Sequence, residues 1–132
     1  MHDIKDTAFE MSASAVRYGV GVTREVGFDV ADRGLRRVMV VTDPLLRTLA
    51  AVATVLESLE ANQIETVLYD RVRIEPTDRS FSEAIEVARR ESCDGFVAVG
   101  GGSVIDTAKA ANLYTTHPPH DFFDYVNAPI GK

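Results

Sequence analysis

Gly100-Gly101-Gly102-Ser103 follows an apolar run and precedes a helical pattern, and this order decides the predicted fold. Residues 96–99 are too few and too rich in β-branched side chains for a helix, which indicates a buried strand. Apolar residues then recur at helical spacing between Val104 and Leu113. A glycine turn between a strand and a helix places backbone N–H groups at a helix N-terminus, which binds anions such as a nucleotide phosphate.

The glycine turn leaves two roles open for Ser103, which can donate its hydroxyl to a phosphate or cap the following helix. Three consecutive glycines exceed what a cap needs, because glycine lets the backbone approach a pyrophosphate and adopt positive φ. The turn is not the usual dinucleotide fingerprint. Reading G-x-G-x-x-G from Gly100 requires glycine at position 105, where the chain has Ile105.

The segments before the turn alternate between strand and helix patterns, after an extended lead-in or hairpin at residues 7–19. Strands are predicted at 38–41 and 64–69. Helices are predicted at 22–30, with Gly34 as the residue after the helix end, and at 45–59. A third helix is predicted to begin at a capping box at 80–83. The predicted buried positions of the second and third helices are Leu45, Leu49, Val52, Leu56 and Leu59, and Phe81, Ile85 and Ala88. This alternation predicts an α/β fold with a parallel sheet, whose ligands bind outside the carboxyl ends of the strands.

Three charged residues follow these strand ends. Asp43 can accept hydrogen bonds from the ribose hydroxyls of NAD, or it can be an N-cap before Pro44. Asp106 can contact a cofactor or close an S-x-x-D cap, and Lys109 can be a distant phosphate partner or a solvated charge. Caps and surface charges are the commoner outcomes for the last two, while the two roles of Asp43 stay open.

The length and composition of the chain limit its domain count, its partners and its location. A chain of 132 residues that is 45% hydrophobic is long enough for one domain with a buried core. No apolar run approaches the ~20 residues of a membrane span, and the acidic first residues lack the apolar segment of a signal peptide. A net charge of −6 leaves no basic surface for nucleic acid. We predict no membrane and no nucleic-acid partner, and a single cysteine indicates a reducing, cytoplasmic location.

Two groups of reactive side chains are predicted to have structural roles and not catalytic or metal-binding ones. Cys93 stands beside an apolar strand, so we predict a small core residue rather than a catalytic thiol. His117, His120 and Asp121 gather side chains that ligate metals, but two intervening prolines prevent a regular helix between them. We therefore predict a polar surface loop there and no metal site.

Three segments together resemble the successive amino-terminal signatures of the iron-containing alcohol dehydrogenase family. They are Val-Val-Thr-Asp-Pro at 40–44, Glu-Pro-Thr at 75–77 and GGGSVIDTAK at 100–109, the last of which fits the specific motif GGGSxxDxAK. Residues 8–11, 72–78, 109–114 and 124–132 are similar to the hydroxyacid–oxoacid transhydrogenase branch of that family. Glu75 departs from the family pattern, since many members have Asn before the Pro-Thr pair.

This resemblance implies a Rossmann-like parallel sheet with flanking helices, of the dehydroquinate synthase-like amino-terminal type. The implied cofactor is NAD(H), with its adenosine ribose on Asp43, its pyrophosphate on Gly100, Gly101, Gly102 and Ser103, and Asp106 supporting that turn. The branch would oxidise 4-hydroxybutyrate to succinate semialdehyde while reducing 2-oxoglutarate to 2-hydroxyglutarate. A divalent metal, iron or zinc, would polarise the substrate oxygen.

The resemblance also implies that residues 1–132 are an incomplete nucleotide-binding domain. The Asp and His metal ligands of the family lie in a helical domain that we expect outside this chain, so we expect no catalytic and no metal-ligating residue here and no activity from this chain alone. An uncovered sheet edge would favour a homo-oligomer. Three alternatives stay open: an iron-containing alcohol dehydrogenase with another substrate, a non-catalytic nucleotide-binding module, and a structural piece that docks onto a separate catalytic domain.

Overall fold

The computed structural model describes residues 14–126, in which helices and strands alternate along the chain. The helices are α1 (Val26–Asp32), α2 (Ala50–Ala61), α3 (Asp78–Arg90) and α4 (Gly102–Thr116). The strands are β1 (Arg37–Val41), β2 (Glu65–Tyr69) and β3 (Gly95–Ala98). Single 3₁₀ turns occur at Val22–Glu25, Leu46–Thr48 and Phe122–Tyr125. No helix of this part of the chain combines the length and the apolar character that a membrane crossing requires.

The three strands form one parallel sheet in the order β2-β1-β3, which confirms the predicted α/β fold. Val40 of the central strand pairs with Leu68 on one side and with Val97 on the other. Because all three strands are parallel, their carboxyl ends meet at the same edge of the sheet. The loops that follow β1, β2 and β3 are therefore neighbours.

Helices cover both faces of the sheet. Met39 and Val41 point to a core shared with α3 and α4, whereas Val38 and Val40 point to a second core shared with α1 and α2. All four of these β1 side chains are completely buried. A strand buried on both faces has a continuous apolar sequence instead of an alternating one, which is why the run at 38–41 was recognisable as a strand.

The predicted helix at 45–59 is wrong in its first turn. Asp43 and Pro44 begin a short turn, and Leu49 adopts an extended backbone with ψ of 150°, so α2 begins at Ala50. Leu45 and Leu49 are 78% and 51% exposed, while Val52 and Leu59 are buried as expected. Apolar spacing runs through the break without interruption, so the spacing alone could not reveal it.

The predicted capping box at 80–83 is also wrong. Thr77 is the N-cap of α3 and Ser80 is its partner at the third helical position. The Ser80 amide donates to Thr77 Oγ1 over 3.2 Å, and the Thr77 amide donates to Ser80 Oγ over 2.8 Å. Ser80 is 4% exposed, which favours the third helical position over the N-cap. On the same helix Ile85 and Ala88 are buried and Phe81 is half-buried, as predicted.

We expect Thr77→Ala to lower the free energy of unfolding by about 1 kcal/mol, because the buried Ser80 amide would lose its acceptor. Urea unfolding followed by circular dichroism measures this difference. Thr77→Ser is the matched control, since it keeps the hydroxyl and should stay within about 0.5 kcal/mol of the wild type. Equal loss in both variants would contradict a capping role.

The amino-terminal predictions are partly covered by the described residues. Gly34 has φ of +72° directly after the C-cap Arg33, which confirms it as the residue that ends the first helix. Residues 15–18 have no regular secondary structure, and Arg17 pairs there with Glu25 and Asp29 over 2.9 and 2.8 Å. The rest of the predicted lead-in, residues 7–13, lies outside the described residues.

Candidate functional site

A cleft of about 130 Å³ lies at the carboxyl edge of the sheet and brings together most of the predicted site residues. Asp43, Gly101, Gly102 and Ser103 all line it, together with residues 72–74 of the loop after β2. The buried Thr42 joins the strand ends beneath it, because its hydroxyl donates to the Val99 carbonyl over 2.9 Å.

Gly100 packs closely against Val104 and Leu46 and does not line the cleft. Its φ is +156°, and a Cβ there would lie 2.6 Å from Val104 Cγ2 and 3.0 Å from Leu46 Cδ1. Gly100 faces a separate pocket of about 500 Å³ along β3. The fold itself therefore requires glycine at this position.

Gly101 and Gly102 differ from Gly100, because a Cβ at either position would meet no atom within 4 Å. Gly101 is the N-cap of α4, with φ of −89° and no side-chain cap, and Gly102 is the first helical residue. The first N–H groups of a helix have no partner within the helix. Two positions without side chains thus leave these N–H groups accessible from the cleft, although the packing of this chain does not require glycine there.

Ser103 is not an N-cap, so that alternative is wrong. It is the second residue of α4, and its hydroxyl donates a hydrogen bond to the carbonyl of Ile74. This bond holds the loop after β2 against the start of α4. Donation by Ser103 to a phosphate would require its hydroxyl to leave Ile74, and that role stays a prediction.

Asp43 stabilises the turn before α2, but it is not the N-cap of that helix, which is Leu49. Its Oδ1 accepts from the amides of Leu45 and Leu46, both over 2.8 Å. Within residues 14–126 its second carboxylate oxygen accepts no hydrogen bond, and the half-buried side chain lines the cleft. One carboxylate can therefore hold the turn with one oxygen and present the other to a ligand, while its contact with a ribose stays a prediction.

Asp106 and Lys109 face away from the cleft. They line a groove of about 380 Å³ between α3 and α4, which Asp78 also lines. Because Ser103 is not the N-cap, the S-x-x-D cap proposed for Asp106 does not form. Glu75 is exposed in the loop after β2 and does not line the cleft. Support of the glycine turn by Asp106 stays a prediction.

Arg73 is the cleft residue that sequence reasoning missed. It is exposed, it lines the cleft beside Asp43 and Gly101, and it forms no ion pair within 4.0 Å in the described part of the chain. No local spacing singles out Arg73, because the cleft forms only when the loop after β2 packs against α4. A cation in a cleft with a helix N-terminus adds to its affinity for anions.

The reactive side chains elsewhere have structural roles. Cys93 is confirmed as a core residue, and burial raises the pKa of its thiol, which therefore stays protonated at neutral pH. Asp121 and Asp124 cap the turn at Phe122–Tyr125 by accepting from backbone amides, including His120 N over 3.1 Å. Among residues 14–126 no three His, Cys, Asp or Glu side chains lie close enough to hold a metal ion.

The comparisons with known proteins point to one family. The family described as "Iron-containing alcohol dehydrogenase" matches residues 13–132. The mitochondrial hydroxyacid-oxoacid transhydrogenases of Bos taurus and Homo sapiens are 58% and 54% identical over 127 residues, which is 96% of this chain and 27% of theirs. The crystal structure of NADH-dependent butanol dehydrogenase A from Thermotoga maritima superposes with a TM-score of 0.73 at 30% identity, over 80% of this chain and 27% of that one.

The predicted cytoplasmic location is wrong, because both of these transhydrogenases are named as mitochondrial proteins. The prediction depended on the single Cys93 and on the absence of a secretory pattern. Neither feature separates the cytoplasm from another reducing compartment, since a chain with one cysteine forms no internal disulfide in either.

Proposed function

Since this chain belongs to the iron-containing alcohol dehydrogenase family, we propose that it is the amino-terminal, cofactor-binding part of a mitochondrial hydroxyacid–oxoacid transhydrogenase. The chain spans about a quarter of the length of the curated relatives it matches. Its identity to those transhydrogenases is well above its identity to the butanol dehydrogenase, which favours this branch over an alcohol dehydrogenase with another substrate. We propose that residues 1–132 are an incomplete nucleotide-binding domain.

The cleft at the carboxyl edge of the sheet holds NAD(H). The observation that carries this proposal is that Asp43, Gly101 and Gly102 line one cleft, where the two glycines leave room that the packing of this chain does not use. The diphosphate lies against the N–H groups at the start of α4, and the second oxygen of Asp43 accepts from the adenosine ribose. A carboxylate there repels a 2′-phosphate, so NAD(H) is preferred over NADP(H).

A nicotinamide bound here would carry a hydride from 4-hydroxybutyrate to 2-oxoglutarate, with the alcohol proton passing to the new hydroxyl group, which would yield succinate semialdehyde and 2-hydroxyglutarate. The residues of this chain bind and orient the cofactor. They offer no metal-ligand set among residues 14–126. In line with the family resemblance, we propose that the iron or zinc is held by residues outside this chain. We expect no metal-dependent turnover by this chain alone, and turnover of 4-hydroxybutyrate by the purified chain would contradict that.

Calorimetric titration of the chain with NAD⁺, NADP⁺ and ADP-ribose tests the cofactor site. We expect NAD⁺ and ADP-ribose to bind with similar affinity, because the contacts lie on the adenosine and the diphosphate, and NADP⁺ to bind more weakly. If none of the three binds at millimolar concentration, the cofactor-binding function is rejected.

Asp43→Asn separates the two roles of this residue. Asparagine still accepts from the Leu45 and Leu46 amides, so the free energy of unfolding should change by less than about 0.5 kcal/mol. The loss of charge should weaken NAD⁺ binding by about fivefold and reduce the preference over NADP⁺. Titrations and urea unfolding measure both effects. Asp43→Ala, which also removes the hydrogen bonds to these amides, should lose about 1 kcal/mol of stability as well. An unchanged ratio of the NAD⁺ and NADP⁺ affinities would contradict the ribose contact.

A further inference from the structure

The electrostatics of the cleft pose a problem for an anionic ligand. The diphosphate of a dinucleotide carries two negative charges, and the Asp43 carboxylate lines the same cleft. The carboxylate and the phosphates would repel one another within this cleft, and the N-terminal N–H groups of α4 supply only a partial positive charge. Of the described residues that line the cleft, Arg73 alone carries a full positive charge.

The backbone of Arg73 is fixed on both sides. The preceding residue, Val72, is 4% exposed, and its amide donates to the Thr42 carbonyl at the end of β1 over 3.4 Å. The carbonyl of the following residue, Ile74, accepts from the Ser103 hydroxyl at the start of α4. Arg73 is therefore positioned between the strand end that carries Asp43 and the helix start that carries the glycines.

The neighbouring cations already have partners. Arg47 pairs with Asp70 over 2.6 Å, and the Arg71 guanidinium lies 5.1 Å from the centre of the Tyr69 ring. Arg73 has neither an ion pair nor a hydrogen bond from its side chain within residues 14–126. Its planar guanidinium can donate two parallel hydrogen bonds to phosphate oxygens.

We infer that Arg73 binds the diphosphate of the nicotinamide cofactor from the loop after β2, beside the N-terminus of α4. This inference rests on the proposed function of the cleft. It assigns the diphosphate a second binding group besides the N–H groups of α4. The guanidinium offsets the charge of Asp43, so that one carboxylate can select the ribose without excluding the phosphates beside it. The matching ligand chemistry is a nucleoside diphosphate rather than a 2′-phosphate.

Titrations of Arg73→Gln and of the matched control Arg71→Gln test this role. Arg71→Gln removes the same charge two residues away, outside the cleft. We expect Arg73→Gln to weaken NAD⁺ and ADP binding by about tenfold and to reduce the dependence of affinity on salt, with Arg73→Lys intermediate and Arg71→Gln within about twofold of the wild type. The affinity for adenosine, which has no phosphate, should be the same in all variants.

The outcomes separate this inference from the proposed function. If the wild type binds neither NAD⁺ nor ADP, both are overturned. If the wild type binds them and Arg73→Gln binds them equally well, the cofactor site stands and the role of Arg73 is overturned. A loss of adenosine affinity as large as that of ADP would indicate a merely structural role, and a loss confined to NADP⁺ would indicate a 2′-phosphate contact; either result overturns the inference.

Discussion

Gly102→Ala is expected to weaken NAD⁺ binding by at least about thirtyfold while leaving the free energy of unfolding within about 0.5 kcal/mol of the wild type. The added methyl group would meet no atom of the described chain within 4 Å, so the fold should accept it. Alanine is also a better helix former than glycine, and Gly102 is the first residue of α4. The methyl group would instead occupy the space through which a phosphate approaches the helix N–H groups.

Titration with NAD⁺ and urea unfolding on the same preparation measure the two quantities. Gly101→Ala should behave in the same way, since a Cβ there also meets open space. Asn112→Ala is a control on the same helix, because Asn112 is exposed and lies outside the cleft. NAD⁺ affinity that is unchanged in Gly102→Ala would show that no phosphate approaches the turn, and a large loss of stability would show that the space around it is not open.

Gly100→Ala should give the opposite result. Its Cβ would lie within 3.0 Å of Val104 and Leu46 in a backbone conformation that alanine rarely adopts. Gly100 is thus required by packing, whereas Gly101 and Gly102 are not, and on our proposal those two leave room for the diphosphate. Identical letters in a sequence cannot distinguish these cases, because the distinction depends on which atoms surround each residue.

Much of the fold could be predicted from the sequence because its central strand is buried on both faces. A run such as residues 38–41 has no polar interruption, and the glycine turn marks the passage from β3 to α4. The helix starts were harder to predict. Leu45 and Leu49 keep helical spacing with α2 although they lie in the turn before it, and Ser80 fits either end of a capping box. Backbone breaks of this kind follow from local turn geometry that apolar spacing does not record.

The candidate site was predictable where its residues follow strand ends, as Asp43 and the glycines do. It was not predictable where two distant loops meet. The bond from Ser103 to Ile74 joins residues 29 positions apart, and it determines both what the serine hydroxyl contacts and where Arg73 lies. Such a contact is decided by the packing of the loop after β2 against α4.

Gly27→Ala is expected to cause the largest loss of stability, at least about 3 kcal/mol, which is a substantial part of the 5–15 kcal/mol typical of a domain. A Cβ at Gly27 would lie 2.1 Å from the Ser58 carbonyl oxygen and 2.4 Å from Asn62 Nδ2, so α1 could not stay against α2. The Gly27 amide also donates to Ser58 Oγ over 2.9 Å, and the same hydroxyl donates to the Arg24 carbonyl over 2.6 Å.

Two comparison variants separate the steric cause from the other effects of Gly27→Ala. Ser58→Ala removes the hydrogen bonds without adding atoms and should cost about 1–2 kcal/mol, because the buried Gly27 amide would lose its acceptor. Phe28→Ala changes an adjacent side chain that is 66% exposed and should stay within about 0.5 kcal/mol of the wild type. Urea unfolding of all three variants gives the order. If Gly27→Ala loses no more stability than Ser58→Ala, the steric explanation is contradicted. Such a result would mean that α1 can move away from α2 at no cost beyond the hydrogen bonds that Ser58 forms.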